Sequence, residues 1–291
     1  MRRHLRAWGF VVAIGAIPAS VAHLAVFFTV NAYSRLVHAP DFAEAFRRVN
    51  HFMESNYIAL SSLSRVLALA LLWAYFALRK TNLWAHCRTK VPSFSSMAAA
   101  VPLGAGIFLS WVGAFYLLGL GQFLPVHPFY YDAISRYFES VNWLTLLSLS
   151  LITPLFEEVT LRGIIFNRLR LDYSPVAALV LQALFFGILH VDPGTVIYAS
   201  LSGIVLGLTY LWLGSIWIPV VIHGAQNLSS LIFWMTASHF GIAPGSGTYV
   251  GILAVGLLLL IYSLRYLRGE RVAISDITQQ QNLSAWDGLP I

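Results

Sequence analysis

Glu157, Glu158 and Arg162 stand close together in the run LLSLSLITPLFEEVTLRGIIF, which is otherwise largely apolar. A charged side chain at the centre of a bilayer costs at least about 2.5–3.5 kcal/mol, so three of them in one run call for a use. Residues four apart on a helix share a face, and Glu158 and Arg162 can therefore pair and partly neutralise each other. Glu157 is turned by about 100° from Glu158, which leaves it free to act as an acid or a base.

Two further apolar runs carry polar groups at depth. His190 closes PVAALVLQALFFGILH, and His223 and Asn227 lie four apart in SIWIPVVIHGAQNLSSLIFWM. An imidazole and a carboxamide on one helical face could hold a single oxygen between them. The pattern thus predicts a common pocket of Glu157, His190, His223 and Asn227, braced by Glu158 and Arg162. Two histidines and a carboxylate would also suit zinc with an open fourth position. No HExxH run is present, and Asn227 is a poor zinc ligand, so the expected chemistry needs no metal and no cofactor. A proton-coupled carrier is the rival from another class, with a catalytically idle immunity or scaffold protein a third reading. No internal repeat supports a carrier.

These residues need helices to position them, and the composition supplies helices in a membrane. The chain is 58% hydrophobic and only 10% charged, with a mean hydropathy of +0.73, far too apolar for a water-covered surface. The apolar runs do not alternate as membrane-barrel strands would. An all-α, polytopic membrane bundle is expected, forming one integral membrane domain over residues 1–291. About eight spans are read, over roughly 8–30, 57–79, 97–120, 142–168, 175–190, 195–214, 216–236 and 248–268. Each long run approaches the ~20 residues that cross the hydrocarbon core. Pro154 should kink the fourth span. The fifth is short, so its end should dip inside the protein. The first span could be a cleaved signal peptide ending near Ala22, but its apolar run continues to Val30, and a retained span is expected.

Basic residues mark one side: Arg2, Arg3 and Arg6 at the start, Arg79, Lys80, Arg88 and Lys90 after the second span, Arg168 and Arg170 after the fourth, and Arg265, Arg268 and Arg271 after the last. The positive-inside tendency reads that side as cytoplasmic, and the net charge of +6 as contact with anionic head groups of membrane lipid. No basic cluster is interleaved with stacking aromatics, so nucleic acid is not an expected partner. The stretch from Phe42 to Met53 reads as an amphipathic helix on the membrane surface, residues 125–140 as an aromatic belt or lid, and residues 269–291 as a loose polar tail. Cys87, the single cysteine, reads as a bystander.

The sequence resembles the CAAX-protease and bacteriocin-processing (CPBP, or Abi) family of intramembrane glutamic endopeptidases. Its three hallmark runs stand in order within residues 142–236: Glu157-Glu158-Val159-Thr160-Leu161-Arg162, Phe186-Gly187-Ile188-Leu189-His190 and His223-Gly224-Ala225-Gln226-Asn227. The resemblance implies that Glu157 activates a water with help from His190, and that His223 and Asn227 form the oxyanion hole. Glu158 and Arg162 fall on supporting positions. A peptide or protein substrate is implied, lipidated or embedded in the membrane. The short chain without eukaryotic retention signals favours a prokaryotic plasma membrane.

Overall fold

The computed structural model describes residues 42–120, 141–190, 192–240 and 246–271, together with scattered positions between 9 and 32. The aromatic stretch 125–140, the polar tail beyond residue 271 and most of the first span lie outside the described residues. Among the described residues there are helices and no strands, so the all-α bundle expected from composition is what the chain forms.

Helix α1 (Phe42–Ser55) is the amphipathic segment. Glu44 pairs with Arg47 and Arg48 at 2.8 and 2.7 Å on its polar side, while Val49 packs against Met53 and Leu60. The long helices α2 (Tyr57–Leu78) and α4 (Phe94–Leu117) follow, separated by the short α3 (Leu83–His86). Helix α5 runs over Trp143–Leu169, α6 over Pro175–Ile188, α7 over Pro193–Leu213, α8 over Trp217–Phe240 and α9 over Ser246–Gly269. Among the described residues, five helices are long and apolar enough to cross a membrane: α2, α4, α5, α7 and most of α9. Helix α8 is equally long and carries the polar residues of the third run.

Local sequence sets the helix starts. Asn142 opens α5 with a capping box, its side chain accepting from the Thr145 amide while the Thr145 hydroxyl accepts from the Asn142 amide. Ser174 caps α6 and Asp192 caps α7, and each is followed by a proline at the first helical position. Gly214, at φ 57°, supplies the left-handed residue that ends α7.

Helix α5 is the centre of the bundle. Every residue from Glu158 to Leu169 is buried, which is why this half of the helix shows no polar face. Helices α6 and α7 pack on one side of the protein and α4, α8 and α9 on another. Gly203 and Gly207 let α7 approach α6 closely, since a Cβ there would stand 3.1 Å from Ala183 and 2.6 Å from Leu179. In the first span, Gly15 lies against Ile165 and Phe185.

Pro154 acts on α5 in a way that sequence alone does not show. It cannot donate a backbone hydrogen bond, and the helix around it opens into a π-helical stretch, Ser148–Ile152, in which the Thr153 amide bonds back to Ser148. The Leu149 carbonyl thereby loses Thr153 as its donor, and the Ser150 carbonyl loses the donor that residue 154 would have been. Both carbonyls are met by α8. The Asn227 amide donates to the Leu149 oxygen at 3.1 Å, and Gly224 sits so close to the Ser150 oxygen that any side chain there would collide with it. A second π-helical stretch, Val159–Phe166, follows after the short α-helical segment Thr153–Glu158; such stretches are often found at functional sites.

Helix α6 ends differently from expectation. It spans 14 residues, or roughly 21 Å, and is too short to cross. Its last residues do not bury, because Ile188 and Leu189 are 71% and 53% exposed. Only the face carrying Gln182, Phe186 and His190 turns toward the site.

Candidate active site

The two glutamates take separate positions, as their helical rotation suggests. Glu158 is wholly buried and its Oε1 accepts from Arg162 Nη1 at 2.8 Å. Glu157 is the more accessible, with 22% of its side chain exposed. Arg162 is fixed on three sides: by Glu158, by the Gly203 carbonyl of α7 at 3.3 Å, and by the Phe186 ring 4.8 Å beneath its guanidinium. Gln182 donates to the same Gly203 carbonyl at 2.9 Å. Helices α5, α6 and α7 therefore meet at one ion pair.

His223 brings α8 to that pair. Its Nδ1 lies 2.8 Å from Glu158 Oε1, and its Nε2 lies 3.7 Å from Glu157 Oε2. The Glu158 oxygen already accepts from Arg162, so it is an acceptor toward the ring as well, and Nδ1 carries the proton. The chain Arg162–Glu158–His223 thus fixes the imidazole and aims Nε2 at Glu157.

His190 reaches the same cluster through Phe186. The Phe186 ring stands edge-on to both imidazoles, 5.1 Å from His190 and 5.7 Å from His223. His190 Nδ1 lies 3.0 Å from the Phe186 carbonyl; a carbonyl only accepts, so Nδ1 donates and Nε2 keeps its lone pair. Asn227 lies one turn beyond His223, held by the Leu149 carbonyl. Its amide nitrogen has a second hydrogen to give. Of the six residues singled out in the sequence, five lie on α5 and α8 and His190 lies just past the end of α6. Phe186 touches Arg162, His190 and His223. The direct polar contacts run through Glu158 and His223, and Asn227 is held apart on the Leu149 carbonyl. Among the described residues, no group of three His, Cys, Asp or Glu side chains is arranged to hold a metal ion.

Residues 139–229 match the family model "Type II CAAX prenyl endopeptidase Rce1-like". This segment is similar to the CAAX-protease family. No curated protein and no solved structure matches the chain in the corresponding searches. The matched segment holds the whole of α5, α6 and α7 and the half of α8 that ends just past Asn227. The three polar runs and the helices that orient them thus fall inside the matched segment. The family match and the five helices able to span a membrane support an integral membrane protein carrying a CAAX-protease-like domain.

Several contributors are not among the residues first picked out. Phe186 stands in the second run without an obvious role, and the structure makes it the ring on which Arg162 and both histidines meet. Gln182, four residues earlier on the same face of an apolar helix, carried a readable signal: an amide at that depth needs a partner. The Leu149 carbonyl carried none, because its availability depends on how the chain absorbs Pro154. Ser202 and Gln226 form another buried contact, at 2.9 Å between α7 and α8, beside Asn227.

Proposed function

We propose that the protein is an intramembrane endopeptidase that hydrolyses a peptide bond with a water activated by Glu157, without a metal ion. The observation that carries this reading is the seating of His223, whose Nδ1 is held on buried Glu158 while its Nε2 faces the more accessible Glu157. A carboxylate, an imidazole edge and a nearby carboxamide are then positioned where a water and a carbonyl could meet.

The reaction follows from the free atoms. Glu157, assisted by the His190 Nε2 lone pair, takes a proton from the water as its oxygen bonds to the scissile carbonyl carbon. The carbonyl oxygen becomes an oxyanion and accepts from Asn227 and from His223 Nε2. His223 donates there only when the ring carries both protons, since its other nitrogen already donates to Glu158. The proton collected by Glu157 passes to the leaving nitrogen, the carbon–nitrogen bond breaks, and a carboxylic acid and an amine result. Glu158 and Arg162 touch no reacting atom in this scheme; they hold His223 in place.

The substrate we assign is a lipid-modified or membrane-embedded peptide, because the site lies between membrane helices. The setting we assign is a prokaryotic plasma membrane. The test is a comparison of membrane peptidomes from cells making wild-type or Glu157→Ala protein at equal level. Peptides that accumulate only with the wild type, and still do so in purified protein after chelation, are expected. Indistinguishable peptidomes would count against the reading.

A further inference from the structure

The opposite end of α5 carries a second arrangement that the peptidase reading does not use. Arg88, in the turn after α3, is 91% buried at 9% residual exposure, yet neither Nη1 nor Nη2 has a hydrogen-bond partner. Arg170, just past the end of α5, is partly buried, with Nε and Nη1 equally unpartnered. The two guanidiniums rest on adjoining rings. Arg88 lies 5.5 Å from the centre of Tyr210 and Arg170 lies 5.8 Å from the centre of Phe166, and those rings are 6.2 Å apart. Burial, and next the Arg88 charge beside it, pull Arg170 down to about 10.

Among the described residues, no ion pair neutralises either guanidinium. The closest acid along the chain, Asp172, is held by Arg168 at 2.6 Å. His86, beside this turn, is driven to about 4 by burial and is neutral. Among Arg88, Arg168, Arg170 and Asp172, three positive charges face one negative. Buried charges without partners are costly, and buried guanidinium hydrogens are rarely left unused. The turn is also built firmly under the bundle: the Arg88 carbonyl accepts from the Ile216 amide at 3.1 Å, the Lys90 carbonyl from Ser215 at 2.6 Å and the Thr89 carbonyl from Trp217 at 3.1 Å. Arg88 itself sits at φ 52°, a left-handed backbone region that side-chain-bearing residues rarely adopt.

We propose that Arg88 and Arg170 together form a binding site for a phosphate-bearing anion at the basic end of the bundle. Guanidinium forks match phosphate oxygens in pairs, and basic pockets between membrane helices on the cytoplasmic side suit lipid phosphates. The site is separated from Glu157 by 13 residues of α5, roughly 15–20 Å, and does not depend on the peptidase reading. The shared chemistry is a phosphate group, presented either by an anionic phospholipid or free in solution.

The experiment uses the full chain purified in a neutral detergent. Native mass spectrometry is run with phosphatidylglycerol or phosphatidylcholine added, and thermal unfolding is followed with each lipid and with inorganic phosphate. Retention of phosphatidylglycerol over phosphatidylcholine, weakened about tenfold or more in Arg88→Gln/Arg170→Gln, identifies a lipid phosphate. A rise in wild-type Tm with inorganic phosphate, lost in the double variant and without lipid selectivity, identifies a free anion. Because the wild-type measurements need no variant, a double variant that fails to fold leaves the selectivity result standing. Wild-type protein that responds to neither probe, or a folded double variant that responds as the wild type does, overturns the proposal.

Discussion

Arg162 and Arg170 stand eight residues apart on the same stretch of chain, and their surroundings differ. Arg162 is fully buried and bonded to Glu158 and to the Gly203 carbonyl, with Phe186 beneath it and only its Nε without a partner. Arg88 is buried and its neighbour Arg170 partly so, yet among the described residues neither has an acid partner, and each leaves two nitrogens unbonded. A buried arginine that spends its hydrogens on protein groups serves as a brace. One that keeps them is equipped for something outside the chain. The two ends of α5 therefore do different work, and each can be broken separately.

The largest effect on folding belongs to the braced end. Arg162→Gln leaves Glu158 buried without its cation, and destabilisation by about 3–5 kcal/mol is expected. Unfolding in detergent should show it as a large loss of Tm, with activity lost as His223 loses its mooring. Asn227→Ala comes next. It removes an oxyanion donor worth about 2.7–4 kcal/mol, so turnover should fall by about 10²–10³ while KM moves little. Gly224→Ala pushes a methyl against the Ser150 backbone, and overpacking of that kind costs about 1–3 kcal/mol, measurable by thermal unfolding. The smallest and most diagnostic change is Pro154→Ala. It returns a backbone donor to α5 and lets the helix reclaim the carbonyl that holds Asn227. Loss of one net hydrogen bond, about 0.5–1.5 kcal/mol, should lower kcat by up to about tenfold without lowering Tm. If Pro154→Ala is fully active, the freed Leu149 carbonyl does not position Asn227.

The two ends also differ in how well the chain announces them. Glu157, Glu158, Arg162, His190, His223 and Asn227 stand out because lipid makes each of them expensive, and four-residue spacing alone pairs Glu158 with Arg162. The bond between Glu158 and His223 joins residues 65 apart in sequence and follows from how α8 docks on α5. That docking depends on the π-helical stretch at Ser148–Ile152, which no hydrophobic period reveals. At the other end, Arg88, Arg168 and Arg170 read as flanking charges in contact with head groups, but Arg88 and Arg168 are buried in protein. The reason is a turn folded back beneath the bundle, fastened by the carbonyls of residues 88–90 to the start of α8. Cys87 behaves as expected of a bystander, buried against Gly163. The all-α membrane bundle was legible because apolar length is a strong signal, although among the described residues five helices, not eight, are long and apolar enough to span. The exposed end of α6 was not, because an apolar residue can face lipid as readily as protein.

The peptidase reading comes down to one carboxylate, and one substitution isolates it. Purified Glu157→Gln protein keeps the shape of the side chain and leaves the Arg162–Glu158–His223 chain intact, so its Tm should match that of the wild type. Hydrolysis of a peptide taken from the wild-type peptidome should fall by about 10²–10⁴ in the same preparation. A Glu157→Gln enzyme that folds normally and cleaves at the wild-type rate would contradict the account.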